Sequence, residues 1–485
     1  MQSTVLNLLH EYNRNPADLD ELKEQVERGT LTILWEFNSS ETILFYSSLQ
    51  KIFNIRKIYY SNQISTSSPE EIDAVFILCP YDRKDRINVV KWGIENEKAI
   101  YVLEAGFLSS IYPLGDKEPP LSFHVDSTGG IYLQGDENNE IIDFLNSEEK
   151  LNEEQIRAAK EVRETIVSNG LSKYNFSKRV SDFELGEILV VDQTLNDFSI
   201  KLADSDIETF ERMMQYVISK HPFDKIFIKV HPEVLLGIRK GNIDIDKYKI
   251  REGIEFITTN IPLDQLFAGF SEVYTVSSTL GFEALLYGKK VHVFGKCFYG
   301  GWGLTVDHVE YTKRNQVRKL EDLIYAIYLR SSFYYDVFLN RNAEPIQAIK
   351  NFVKLVQDYR ANSFYADYSN QILKNKISVL EKEIGILQRK LTNSGTHVPV
   401  IKNNTPNKCV NKTISSLPSK VDHKIERKII KFFATDERKF NKYLRDRRVF
   451  FEDSNNFFLE NLLEFRKRKR VKTISAIIQA GYSFP

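Results

Sequence analysis

The sequence predicts an α/β protein built from two Rossmann-like halves that face a cleft, followed by a helical extension with a coiled coil. Two patterns carry that expectation: two successive sets of short apolar runs separated by helical stretches, and polar motifs that stand at the ends of the runs in the second set. Size agrees, because 485 residues exceed what one hydrophobic core usually holds.

The first set lies between Leu31 and about Phe144 and reads LTILWEF, IRKIYYS, AVFILCP and AIYVLE. Buried-strand runs alternating with polar helical stretches are the rhythm of an α/β layer with a parallel sheet. The second set begins at Glu187 with EILVVDQ and continues through KIFIKVHPE, EFITTN, EVYTVSS and KVHVFG, with helices such as DIETFERMMQYVISKH between. A helical stretch from Glu153 to Val167 joins the halves. The expected boundaries are 1–152 for the first half and 153–362 for the second with its closing helices. RKLEDLIYAIYLRSSFYYDVFLN and AEPIQAIKNFVKLVQDYRANSF are both read as helical.

Three further segments follow. Over 363–392, Leu373, Ile377, Leu380, Ile384, Leu387 and Leu391 alternate steps of four and three, the seam of a short coiled coil and hence of self-association; one amphipathic helix packed on its own domain is the other reading. Residues 393–422 are polar, rich in Asn, Thr, Ser and Pro, and read as a linker. The tail 423–485 is helical and rich in Lys and Arg, suited to anionic lipid or to solvent alike.

Lys and Arg number 66 and so do Asp and Glu, so no overall basic field argues for nucleic acid. Cys79, Cys297 and Cys409 have no CxxC spacing, which fits a reducing compartment and implies neither structural zinc nor any other metal. The start of the chain lacks the basic and apolar regions of a signal peptide, and no stretch approaches the roughly 18 apolar residues that span a bilayer. The expected location is the cytoplasm, with any membrane contact peripheral.

Chemistry concentrates in the second half. From Tyr274 the chain reads YTVSSTLGFEALLYGKKVHVFGKCFYGGWGLTVD: a strand, a Ser-Ser pair, a helix, a strand and a Gly/aromatic loop. A strand ending in small hydroxyls before a helix N-terminus suits a phosphate, whereas an ordinary βα turn would use Ser278 or Thr279 as N-cap. VVDQTLNDFSI brings Asp192, Gln193, Asp197 and Ser199 to another strand end; a carboxylate there serves as nucleophile or base, or Asp197 caps a turn or helix. KIFIKVHPE places Lys229, His231, Pro232 and Glu233 past a third run, and Pro232 holds His231 extended at the sheet edge. Lys as a point charge and His as a donor suit a phosphate-bearing substrate. Lys240 adds positive charge or is a solvated loop residue. Together these residues follow the general logic of a GT-B glycosyltransferase.

Seven segments then give a resemblance. LEAGFLSSIYPLG, PPLSFHVDSTGGIYL, GLSKYNFS, ILVVDQTLNDFSI, IKVHPEVLLGIRKGNI, VYTVSSTLGFEALLYGKKVHVFG and CFYGGWGLTVD resemble, in order, the KpsC-type capsule polysaccharide synthesis proteins, a family of β-Kdo transferases. The match runs from about residue 100 to about 315, and FYxGWGLTxD is its most specific part. TDERKFNKYLRDRRVFFEDSNN resembles, more weakly, a basic element attached to bacterial surface-polysaccharide transferases.

The resemblance implies CMP-Kdo as donor, a glycolipid or glycan acceptor, capsule-assembly partners, a retaining reaction and no metal or other cofactor. It makes Asp197, within QxxxDxS, the nucleophile, and Gln193, Lys229, His231, Pro232, Lys240, Ser277, Ser278 and Thr279 the donor site. Glu283 contacts ribose or nucleotide, or else packs its own helix. Glu104 of EAGF is the candidate base on the acceptor side, which assigns the first half to the acceptor. Ala105 and Ser109 depart from the family, which usually has an acidic residue and an Arg there, and many members carry two transferase modules where this chain has one. Transfer of another CMP-activated acid such as sialic acid is the alternative chemistry. A non-catalytic nucleotide-sugar or glycan-binding scaffold is the alternative of another class.

Overall fold

Each apolar run of the first set becomes a strand because nearly all its side chains find apolar neighbours. In the computed structural model these are β1 (Thr32–Trp35), β2 (Lys57–Tyr60), β3 (Ala74–Leu78) and β4 (Ala99–Ala105). They pair in parallel in the order β4-β3-β1-β2. A further strand, β5 (Ser122–Asp126), lies antiparallel to β4. The structure describes residues 4–361 apart from 13–16, 40–41, 43–45, 79–81, 113–118, 128–138, 178, 182–185, 232–233 and 235–238. The expected coiled coil, linker and basic tail fall outside the described residues.

The second set gives β6 (Ile188–Val191), β7 (Ile226–Lys229), β8 (Ile254–Ile257), β9 (Glu272–Thr275) and β10 (Lys290–Val293), with a short β11 (Val306–Asp307). All are parallel, in the order β11-β10-β9-β6-β7-β8. β6 and β7 are buried along their whole length, which is why they read as unbroken apolar runs. The chain lays β7 and β8 on one side of β6, then returns to lay β9 to β11 on the other. Ligands in such sheets bind at the carboxyl ends of the strands where the order reverses, here β6 and β9.

Helices cover the sheets by simple periodicity. The linking stretch forms α1 (Glu153–Asn169), started by the Asn152–Gln155 capping box and stopped by Gly170 in the left-handed region at φ 57°. A short α2 (Phe198–Leu202) follows β6. On α3 (Ile207–Lys220), Phe210, Met213, Met214 and Val217 form one stripe against Ile188, Val190, Ile226 and Ile228. Each such side chain contributes about 1.5–3 kcal/mol when buried. After β9 comes α4 (Thr279–Leu286).

The region beyond Glu310 departs from the expected run of helices. Leu320–Ile324 is helical and continues as a π-helical turn over Tyr325–Arg330, but the chain then forms β12 (Ser332–Asp336) and β13 (Arg341–Ala343). These strands extend the first sheet beyond β5, antiparallel, with Phe333 opposite Phe123. Aromatic residues favour a strand here because Phe333 enters the first core, 5.0 Å from Phe53 between ring centroids. Asp336 then turns the chain by accepting from Phe338 N at 2.8 Å and Leu339 N at 3.1 Å. Residues 332–343, expected with the second half, thus belong to the sheet of the first. The last helix, α5 (Pro345–Arg360), is as expected.

Candidate active site

At the reversal point the ends of β6 and β9 are clamped by one side chain. Gln193 Oε1 accepts from Ser277 N at 3.0 Å and its Nε2 donates to Ser277 Oγ at 3.3 Å. Asp192, just before it, is buried and accepts from the backbone N–H groups of Gln193, Asn242 and Ile243 at 2.9 to 3.1 Å. Burial pushes its carboxyl up to about 6 although those three donors pull it down. Gly241 is needed where the 240–243 segment meets the end of β6, because any β-carbon there would collide with the Asp192 carboxylate.

Beyond the clamp is a cavity lined by Asp192, Lys229, His231, Ser278, Thr279 and Glu283, together with Asn260 and most of the 172–177 segment. Ser278 caps α4, its Oγ accepting from Leu280 N at 3.3 Å. Lys229, the last residue of β7, is buried and its ammonium has no hydrogen-bond partner. Desolvation lowers its pKa to about 8, and the charge of Glu283 opposes that shift. Glu283 is buried too, and desolvation raises its carboxyl to about 7 against hydrogen bonds from Ser172 Oγ at 2.8 Å and Lys173 N at 3.1 Å. The cavity therefore holds a cation and an acid, both destabilised in their charged forms, beside a helix N-terminus.

The other expected site residues are placed differently. Asp197 is the N-cap of α2: its Oδ1 accepts from Ser199 N and Ser199 Oγ, both at 2.9 Å, and its Oδ2 from Thr194 Oγ at 3.1 Å. It is half-buried and does not line the cavity. Lys240 is exposed, and its carbonyl accepts from Leu195 N at 2.7 Å. Glu104 lies on β4 directly opposite His124 of β5 and is not among the residues that line the cavity. Pro232 and Glu233 fall outside the described residues. Among the described residues, no group of three or more His, Cys, Asp or Glu side chains is arranged to hold a metal ion.

Behind α4 lies the Gly/aromatic loop. Tyr299 is fully buried, and its hydroxyl donates to Ser278 O at 2.6 Å. Gly281 leaves room for that hydroxyl, which a β-carbon would strike. Trp302 Nε1 donates to Phe298 O at 2.8 Å, and Arg314 lies over the Trp302 ring at 5.0 Å while donating to Cys297 O at 2.7 Å. The loop is thus a packed brace that fixes the start of α4.

The family model of the capsule polysaccharide biosynthesis proteins matches residues 183–340, from before β6 into the turn after β12. The capsule polysaccharide modification protein LipA of Neisseria meningitidis serogroup B is 31% identical over 305 residues, 58% of this chain and 42% of that protein. The lipopolysaccharide-processing protein LpsZ of Rhizobium meliloti is 31% identical over 265 residues, 53% of this chain and 59% of that one. The chain spans less than half the length of the meningococcal relatives it matches, 42% and 46%. Among solved structures, the β-Kdo 2,4 transferase of Thermosulfurimonas dismutans KpsC superposes with a TM-score of 0.59 at 28% identity, over 66% of this chain and 97% of that one. Residues 183–340 thus match the capsule polysaccharide biosynthesis family, and the chain is similar in sequence and fold to KpsC-type proteins.

Its fold is of the α/β glycosyltransferase type, and most of the GLSKYNFS segment after α1 lines the cavity. Ser172, Lys173, Tyr174, Phe176 and Ser177 form one wall, and Asn260 and Ile261 after β8 form part of another. The wall was hard to find from sequence because it follows a helix rather than a strand. Asn260 was within reach, since EFITTN is one more strand end of the same sheet.

Proposed function

We propose that this protein is a retaining GT-B glycosyltransferase of the KpsC type that moves Kdo from CMP-Kdo to a lipid-linked or glycan acceptor in capsule or surface polysaccharide biosynthesis. The observation that carries this reading is the buried Lys229 ammonium, without a hydrogen-bond partner, in one cavity with the Ser278–Thr279 start of α4. A phosphate placed there meets a cation and a helix N-terminus, and it supplies the partner that Lys229 lacks.

In the reaction so read, an Asp197 oxygen attacks the anomeric carbon as the bond to the phosphate oxygen breaks, and CMP leaves with the electron pair. Lys229, His231, Ser277 and Ser278 balance the charge that develops on the phosphate, with Gln193, Pro232, Lys240 and Thr279 shaping the donor side. An acceptor hydroxyl then displaces Asp197 from the sugar and gives its proton to Glu104. Two inversions retain the anomeric configuration. No metal is invoked. The coiled coil and basic tail would supply self-association and contact with anionic lipid on the inner face of the cytoplasmic membrane.

The cap formed by Asp197 favours a second reading, in which this carboxylate serves the fold and another group attacks. Purified protein incubated with CMP-Kdo or CMP-sialic acid and a panel of glycolipid and glycan acceptors, with CMP release and product mass followed, separates the possibilities. Turnover with CMP-Kdo that falls at least a thousandfold in a folded Asp197→Ala variant is the expected result. Undiminished turnover in Asp197→Ala removes it as nucleophile, and turnover with CMP-sialic acid alone changes the donor. Tight CMP binding without turnover on any acceptor leaves the scaffold.

A further inference from the structure

Glu283 sits between the buried Lys229 ammonium and a hydrogen-bonded loop. Towards the cavity it shares buried space with Lys229, whose charge acts on it. One of its oxygens, Oε1, accepts both from Ser172 Oγ at 2.8 Å and from Lys173 N at 3.1 Å. The same loop continues into the first half. Lys173 O accepts from Ser109 N at 3.1 Å and Ser110 N at 3.3 Å, Asn175 N donates to Ile111 O at 2.8 Å, and Asn175 Nδ2 donates to Ser110 O at 3.2 Å. Ser110 and Tyr174 form a parallel bridge.

Residues 109–111 follow β4 almost directly, and β4 carries Glu104 and Ala105. An unbroken path of hydrogen bonds therefore leads from a carboxylate on α4, in the second sheet's half, to the segment that leaves the first sheet. Glu283 and Ser172 both line the cavity, and the loop that Glu283 holds contributes Lys173 and Tyr174 to the lining as well. Whatever engages Lys229 changes the field at Glu283 and hence its hold on the loop.

We propose that Glu283 is a positioning residue that couples the donor cavity to the segment following β4, in place of a simple contact to the donor. The proposal rests on the donor reading above only for the identity of the ligand. The path itself belongs to the fold.

Amide hydrogen exchange of the full chain tests it directly, because the Ser109 and Ser110 amides are themselves donors in the path. Without nucleotide, Glu283→Ala is expected to speed exchange at residues 107–111 at least tenfold relative to the native chain, while peptides from β1 and β3 stay unchanged. Glu283→Gln keeps a carbonyl oxygen for Ser172 and Lys173 and is expected to restore the native rates. Ser172→Ala, which leaves Glu283 intact, is expected to give a smaller acceleration at the same residues. Unchanged exchange at 107–111 in Glu283→Ala overturns the proposal.

A second arm adds CMP, followed by calorimetry and exchange. The native protein is expected to slow at 171–175 and 107–111 together, and Glu283→Ala to bind CMP within about fivefold of native but to lose the response at 107–111. A loss of CMP affinity beyond a hundredfold in both Glu283 variants makes the residue a donor ligand and overturns the proposal. Absence of CMP binding by the native protein defeats the donor reading instead, and the nucleotide-free arm still decides the coupling.

Discussion

At the end of β1, Glu36 is fully buried and receives Arg86 in a two-pronged ion pair, with Nε to Oε2 at 2.6 Å and Nη2 to Oε1 at 3.0 Å, while Leu78 N donates to the same carboxylate. At the end of β7, Lys229 is also buried, yet its ammonium makes no hydrogen bond, and Glu283, the carboxylate whose charge acts on it, is hydrogen-bonded to the 172–173 loop. Burial raises the Glu36 carboxyl and the paired guanidinium opposes it, so that site is closed on itself. Both buried charges pay a desolvation cost, but Glu36 is paired within the fold and Lys229 is not; on the proposed donor reading, the phosphate completes it. If the donor reading holds, the difference separates a charge kept for architecture from a charge kept for binding.

Breaking the closed pair should give the largest effect on stability. Arg86→Met leaves Glu36 buried without its partner, and removing one member of such a pair costs about 3–5 kcal/mol. Chemical denaturation followed by circular dichroism reads that loss, and a change below about 1 kcal/mol would erase the contrast. Lys229→Met deletes an ammonium that the fold does not satisfy, so its denaturation midpoint should stay within error of native or rise.

The same Lys229→Met variant should fail in the other measurement. Its CMP affinity is expected to fall about 10- to 150-fold, the equivalent of about 1.5–3 kcal/mol for a charge-assisted hydrogen bond. In the native protein the affinity should also decline as pH rises through and beyond about 8, where the folded lysine gives up its proton, with the bound phosphate moving the midpoint upwards. The stability effect has the opposite direction. The unfolded lysine keeps its proton to its ordinary value of 10.5, so between about 8 and 10.5 the unfolded state binds more protons and stability from this group rises with pH. Calorimetric titrations across that range check the first trend, and denaturation at the same pH values checks the second. Lys229→Met should flatten both.

The second half is where the sequence was most readable. Its strands are buried runs that end in polar residues, so Lys229, His231, Ser278, Thr279 and Glu283 could be assigned to one strand-end site, and the fold gathers them in one cavity. The first half was harder. SFHVD and SFYYD form antiparallel strands that meet through Phe123 and Phe333 from distant parts of the chain, and nothing local to SFYYD names that partner. The Lys173 wall was obscure for a related reason: Gly170 marks the end of α1, but the place where the next residues land depends on Glu283 far along the chain. Asp197 shows the limit of local chemistry, because an Asp before a short helix reads equally as a cap and as a nucleophile, and its observed hydrogen bonds describe the cap.

The smallest expected effect concerns the Gly/aromatic loop. It lies behind α4 and reaches the open site through the Tyr299 hydroxyl on Ser278 O. Tyr299→Phe keeps the ring and removes that donor, leaving a part-buried carbonyl short of one partner, which should cost about 0.5–1.5 kcal/mol of stability. Because Ser278 O also accepts from Gly281 N at 3.0 Å, α4 should still start at the same residue, and CMP affinity should fall less than tenfold. A fall as large as that of Lys229→Met would mean that the loop sets the donor geometry itself. A stability loss without any change in affinity would confine it to the architecture, on the same side of the comparison as Glu36 and Arg86.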